Sequence, residues 1–170
     1  MDTNLKHHSK EKYPGKELTT NENLDAEELT QIKLGFKINH LKMKDGSNGK
    51  VMWETTKYNL NNAETEEFLP KEILNCKEVV REVNFSSKEK IMDLELVQNF
   101  YLMGELIETN RFYFGFVIPG STNNWEQIVE AKPPEEMLSY EILSGNLIVE
   151  VLFLSKGEVI VRNSCTIHYI

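Results

Sequence analysis

From Phe36 to Ile170 the chain is a succession of short segments in which apolar residues alternate with polar ones, cut apart by Gly, Pro, Asn and Asp. A period of two places successive side chains on opposite faces of an extended strand, and turn residues at intervals of roughly 8–12 end one strand before the next. Helical patterns do not intervene at regular intervals, so an all-β antiparallel sandwich is expected rather than a parallel βαβ architecture. Phe36, Ile38 and His40 alternate with Lys37 and Asn39. Asp45-Gly46-Ser47-Asn48-Gly49 is turn chemistry, and Val51-Met52-Trp53 begins the return strand of a hairpin. Further strands are expected at 66–69, 78–85, 94–107, 112–118, 125–129, 147–154 and 159–170. Pro70, Pro119 and Pro133-Pro134 punctuate them, and 135–143 has room for a short helix before Gly145.

Ahead of the strands, Asp25 can cap a short helix through Ala26, Glu27, Glu28 and Leu29 toward Ile32, its acidic first turn favoured by the helix dipole. Residues 1–23 hold only Met1, Leu5, Tyr13 and Leu18 as sizeable apolar groups, too few to offset the entropy of ordering. They are expected to be a disordered tail, with one β-sandwich domain over 24–170. His7 and His8 lie in that tail without a third ligand, so no metal site is expected there.

Composition excludes several classes. With 170 residues a single core buries roughly 70% of the unfolded surface and needs no cross-link. Cys76 and Cys165 are the only cysteines, which excludes a multi-bridge secreted scaffold. Nineteen basic against 27 acidic side chains give a net charge of −8, which argues against a nucleic-acid partner. No stretch approaches the roughly 20 apolar residues of a membrane span, and the N-terminus lacks the apolar core of a signal peptide. A cytoplasmic protein with at most peripheral membrane contact is expected.

The inward faces carry the functional signal. Strand parity groups Arg81 with Val79 and Val83, and groups Gln98 and Glu108 with Leu94, Leu96, Phe100, Leu102 and Leu106. Cys165, Ile167 and Tyr169 share a face, as do Leu147, Val149, Val151 and Phe153. Buried polar groups must be paired, so one reading makes Arg81 and Glu108 an internal ion pair with Gln98 and Tyr169 satisfying backbone groups. The other is a deep apolar pocket with a few convergent donors. Catalytic patterns are missing: no G-x-S-x-G, P-loop, H-E-x-x-H or C-x-x-C occurs. His40 and His168 are single strand histidines, and Cys76 has no recognisable base beside it. An enzyme is not expected, nor a cofactor or metal.

Four segments carry a family resemblance: Gly35-Phe36-Lys37-Ile38-Asn39 with Gly49-Lys50-Val51-Met52-Trp53; 70–77 running into 81–87; Phe114-Gly115-Phe116-Val117-Ile118-Pro119 with Ser121-Thr122-Asn123-Asn124-Trp125; and Leu143-Ser144-Gly145-Asn146. Over about residues 30–170 they resemble the delta subunit of the rod cyclic-nucleotide phosphodiesterase, the prenyl-binding protein family. That resemblance implies an immunoglobulin-like sandwich with a lipid pocket between its sheets. It implies a non-enzymatic, GDI-like carrier that takes up the farnesyl or geranylgeranyl group of lipidated proteins such as small GTPases. It also implies shuttling through the cytoplasm, often toward cilia, and release by GTP-bound Arf-like GTPases. A sister family of myristoyl carriers shares the Phe-Gly-Phe and Ile-Pro elements, but the 81–87 run and Trp125 favour the prenyl branch. An acyl carrier and a pure interaction module with a filled core are the alternatives.

Carried over position by position, the resemblance implies a pocket lining of Trp53, Leu60, Ile73, Cys76, Val79 and Val83 from the first half of the domain. It adds Phe100, Ile107, Phe112, Val129, Met137, Leu138 and Leu143, then Val149, Val151, Phe153, Cys165, Ile167 and Tyr169. Arg81 and Gln98 match residues that hydrogen-bond near the prenylated cysteine, and Glu108 matches a residue at the entrance. The chain departs from the family pattern at Asn110 and Arg111, where two aromatics are usual, and at His40 and Lys132 in place of a Trp and an Ala.

Overall fold

The computed structural model describes residues 23–57 and 64–170. Apart from Asn23, the expected tail with His7 and His8 lies outside the described residues, as does Leu60. Helix α1 (Ala26–Gly35) starts as its sequence dictates. Asp25 Oδ1 accepts from the Glu28 amide at 2.8 Å while Glu28 Oε2 accepts from the Asp25 amide at 3.4 Å, a reciprocal capping box. The helix buries Ile32 against the sandwich.

Among the described residues nine strands follow: β1 (Phe36–Asp45), β2 (Val51–Thr55), β3 (Glu64–Leu69), β4 (Glu78–Ser87), β5 (Ile91–Leu102), β6 (Glu105–Val117), β7 (Ser121–Glu130), β8 (Leu147–Ser155) and β9 (Glu158–Tyr169). They form the expected two-sheet sandwich, one sheet in the order β2-β1-β4-β7 and the other β3-β9-β8-β5-β6. No helix among the described residues is long and apolar enough to cross a membrane.

Three features differ from the sequence expectation. The segment expected as one strand over 94–107 is two, because Met103 and Gly104 both take positive φ (50° and 84°) and turn β5 back into β6. Two consecutive left-handed residues make the tight turn that matches strand twist, and a Met in the first position gives no turn signal. The turn and a register shift beside Tyr101 leave Leu106 opposite Tyr101 and 55% exposed, not on the inward face with Leu94. Second, β3 pairs with β9 in parallel, Thr65 opposite Cys165 and Leu69 opposite Tyr169, so the larger sheet is mixed. Third, 135–143 is divided: a 3-10 turn at Pro134–Glu136 and a single helical turn, α2 (Tyr140–Leu143).

Along the strands the interior divides in two. Near α1 it is filled by aromatics: Phe85 lies 5.6 Å from Phe36, 5.2 Å from Phe114 and 6.5 Å from Trp125, and Phe36 lies 5.2 Å from Phe153. Phe85, Leu94, Val117 and Trp125 are fully buried. Gly115 in β6 has φ +99°, a backbone conformation that side-chain-bearing residues rarely adopt, which is why the Phe-Gly-Phe element needs its glycine. Toward the other end the packing is mostly aliphatic, with Leu69, Ile73, Leu147, Val149, Ile167 and Tyr169 meeting Met43, Trp53 and Val79 of the facing sheet.

Candidate functional site

The aliphatic half is not filled. A cavity of about 250 Å³ runs between the sheets, larger than the roughly 150 Å³ at which an apolar cavity admits benzene. Strand period accounts for its walls. Val79, Arg81 and Val83 of β4, Phe100 of β5, Val149, Val151 and Phe153 of β8, and Cys165, Ile167 and Tyr169 of β9 all line it, as alternate residues facing inward from their strands. Trp53 of β2, Ile73 of the 3-10 turn Lys71–Asn75, Val129 of β7 and Gln98 of β5 complete the expected residues found on the wall.

Seven of the residues implied by the resemblance are not on that wall: Cys76, Ile107, Glu108, Phe112, Met137, Leu138 and Leu143. Ile107 and Leu138 are each 41% exposed, Ile107 because β6 is the edge strand and begins just before it. Glu108 lies on that edge strand opposite Phe100 and is half-buried. Met137 is half-buried between the 3-10 turn and α2. Cys76 is buried beside Asp45, and burial followed by that carboxylate pushes its thiol pKa up. Leu143 packs in the aliphatic cluster without reaching the cavity. Phe112 is buried with its ring 5.3 Å from the Arg81 guanidinium carbon. It stands behind a polar wall residue as a cation–π partner.

Where one reading of the sequence would pair Arg81 with Glu108, the structure shows it bonded to Gln127. Gln127 sits directly across the β4·β7 pair and accepts from Arg81 Nε at 2.7 Å and from Nη2 as well. Arg81 is 6% exposed, Gln127 not at all. The guanidinium is thus oriented by a neutral acceptor, and its positive charge is not cancelled by that bond. Gln127 Nε2 and Gln98 Oε1 are both buried and without a hydrogen-bond partner among the described residues. Gln98 lines the cavity and presents an acceptor; a buried group left unpaired costs about 1–3 kcal/mol, which a ligand's N–H would recover.

Four polar lining or supporting residues were missed by the sequence reading: Gln127, Thr65, Glu67 and Asn163. Asn163 is 1% exposed, and Thr65 Oγ1 donates to its Oδ1 at 3.4 Å. Parity was the available signal. Asn163 is two residues before Cys165, Gln127 lies between Trp125 and Val129 at the same period, and Glu67 precedes Leu69 by two. Burial pushes the Tyr169 phenol up to about 12 and raises the Cys165 thiol, so both are neutral at physiological pH.

Of the four departures from the family pattern, Arg111 and Lys132 are exposed and His40 and Asn110 are half-buried within β1 and β6. His40 Nε2 lies 3.2 Å from Glu82 Oε1 on the outer face, where Lys44 binds the same carboxylate. Arg111 pairs with Glu95 at 3.0 Å, Asn110 sits opposite Gln98, and Lys132 is exposed just past β7. Among the described residues no group of three or more His, Cys, Asp or Glu side chains converges on a metal position. Comparison with protein-family models matches residues 30–169 to the family described as "GMP-PDE, delta subunit".

Proposed function

The chain belongs to the GMP-PDE delta-subunit family, and from that premise we propose that it is a non-enzymatic carrier whose cavity takes up the prenyl group of lipidated proteins. The observation that carries this reading is the apolar cavity between the sheets with the Arg81–Gln127 pair and the open Gln98 acceptor on its wall. Burying a lipid gains about 0.8 kcal/mol per CH₂, so a farnesyl chain contributes on the order of 10 kcal/mol before ordering costs. The cationic Arg81 and the Gln98 acceptor suit the carbonyl oxygens and amide N–H at the lipidated cysteine. A chain without that polar end would leave them unsatisfied.

At about 250 Å³ the cavity is at or below the roughly 300–1,000 Å³ usual for drug-sized ligands. A prenyl chain therefore enters by parting the walls of the aliphatic half. Met43 on the wall and Met52 behind it are unbranched and repack readily. An adaptable cavity of this kind also provides a route to release: a partner that binds the closed form better than the filled one expels the lipid, by at most that difference in affinity.

Cargo of the small-GTPase type, release by GTP-bound Arf-like GTPases, and cytoplasmic or ciliary work are the finer parts of the proposal. The domain that performs it is 24–170. The test is a side-by-side titration with a farnesylated, carboxymethylated peptide, its unprenylated twin and a myristoylated peptide. The farnesylated peptide is expected to bind, saturably and best. Equal binding of the prenylated and unprenylated forms overturns the carrier reading, and preference for the myristoylated form moves it to acyl chains.

A further inference from the structure

One wall of the cavity carries a charge that an apolar chain does not want. Glu67 stands in β3 opposite Ile167, with Thr65 and Leu69 on the same face, and all three line the cavity. Among the lining residues it is the one carboxylate, in a wall otherwise dominated by aliphatic and aromatic groups. Glu67 is half-buried, whereas the two carboxylates buried among the described residues are paired: Glu82 with Lys44 and His40, Glu150 with Arg162 and Asn99. The Glu67 carboxylate has no hydrogen bond or salt bridge among the described residues. Burial alone raises its pKa.

The titratable and charged groups near it come from β9, from the facing sheet and from β3 itself. From β9 come the Cys165 thiol and the Tyr169 phenol, both pushed up by burial. From the facing sheet come Met43 of β1, Trp53 of β2 and Arg81 of β4, uncharged or permanently cationic. Asp45 at the end of β1 stands beside Cys76. On β3 itself, Glu64 and Glu66 alternate to the opposite face, where Glu66 meets His168 at 3.3 Å.

Resting on the carrier reading above, we propose that Glu67 is a specificity-determining residue of the cavity: it disfavours a wholly apolar chain lying against β3, and such a chain is taken up together with one proton. A lipid chain displaces the remaining water from an unpaired carboxylate, which favours the neutral form. The proton comes from solvent, and affinity then falls as pH rises between the values at which the free and the occupied carboxyl titrate. Each unit between those two values is a factor of ten in affinity at pH above both. Cargo whose lipid leaves the β3 wall uncovered escapes the penalty.

The experiment titrates the full chain and Glu67→Gln with a farnesylated, carboxymethylated peptide between about pH 5.5 and 8. The unaltered protein is expected to weaken about tenfold across that range, while Glu67→Gln binds tightly throughout. Calorimetry in two buffers of different ionisation enthalpy should show close to one proton taken up by the unaltered protein and none by the variant. Identical pH profiles and proton counts in the two proteins overturn the role of Glu67 while leaving the carrier reading standing. Failure of both to bind at every pH overturns the carrier reading and this proposal with it. Cooperative thermal unfolding of both proteins, with Glu67→Gln at least as stable at neutral pH, shows that the comparison is between folded molecules.

Discussion

The two ends of this sandwich are built from the same strands, yet one is solid and the other hollow. In β4 the step from Phe85 to Val79 goes from aromatic packing to a cavity wall, and in β8 Phe153 both packs on Phe36 and borders the cavity that Val149 lines farther along. The solid end fills its volume with rings that lock against one another at 5.2–6.5 Å. The hollow end is built mostly from Val, Leu, Ile and Met, with Trp53, Phe100 and Tyr169 on its walls but, among the described residues, no ring pair interlocking across it as at the solid end. The difference teaches how one sandwich divides its interior: rings close to α1 pack the sheets together, and the far end keeps an unfilled cavity between them. Between them lie Arg81, Gln127, Gln98 and Asn163, a polar belt at the depth where packing gives way to cavity.

The largest effect should come from breaking the solid end. Phe85→Ala is expected to cost about 3–5 kcal/mol in chemical denaturation; a loss under about 1 kcal/mol would mean that the aromatic end does not carry the fold. Filling the hollow end should do the reverse. Val149→Trp is expected to abolish binding of a farnesylated peptide while leaving unfolding cooperative, whereas Val117→Trp in the solid end should strain the core by about 1–3 kcal/mol. Binding that survives Val149→Trp would place the lipid elsewhere. Gln127→Leu should sharpen the role of the belt. It removes the Gln127 acceptor from the Arg81 guanidinium, costing about 1–3 kcal/mol, and weakens the prenylated peptide by moving the guanidinium off its aim. Unchanged affinity and stability would show that Gln127 does not orient it.

The smallest effect contrasts the outer faces with the cavity. For Glu82 and Glu150 burial raises the pKa, but hydrogen bonds from Lys44 and His40, and from Asn99 and Arg162, outweigh it and hold both below their ordinary 4.5. Their stabilisation is therefore complete above that value and lost as pH falls through the lower folded values. Glu67 has the opposite sign: its pKa is raised, so its contribution is present below 4.5 and lost as pH rises through the folded value. Denaturation midpoints measured against pH should show Glu82→Gln flattening the acid limb and Glu67→Gln raising the neutral plateau. Equal shifts at every pH would contradict both signs.

Strand alternation was legible because it is local. Each inward set from β4, β8 and β9 could be read from residues two apart, and the Asp25 capping box from residues three apart. The same rule was under-used at Gln127, Asn163 and Glu67, which share parity with residues that were assigned inward. The hairpin at Met103 was not legible, since nothing in a methionine announces a positive φ. Nor was the parallel pairing of β3 with β9, which joins segments a hundred residues apart.

The amino-acid sequence by itself determined most of the side chains that face inward (though not Leu106), where most strands stop, and, through the four matching segments, the family. Tertiary structure decided who meets whom. Arg81 was bound to point inward, but whether it met Glu108 or Gln127 depended on the β4·β7 register and on β6 lying at the sheet's edge. Period assigns a face and says nothing of depth. Whether an inward residue packs against a ring or lines a cavity is fixed by the volumes brought opposite it from the other sheet, and those arrive only when the sandwich closes.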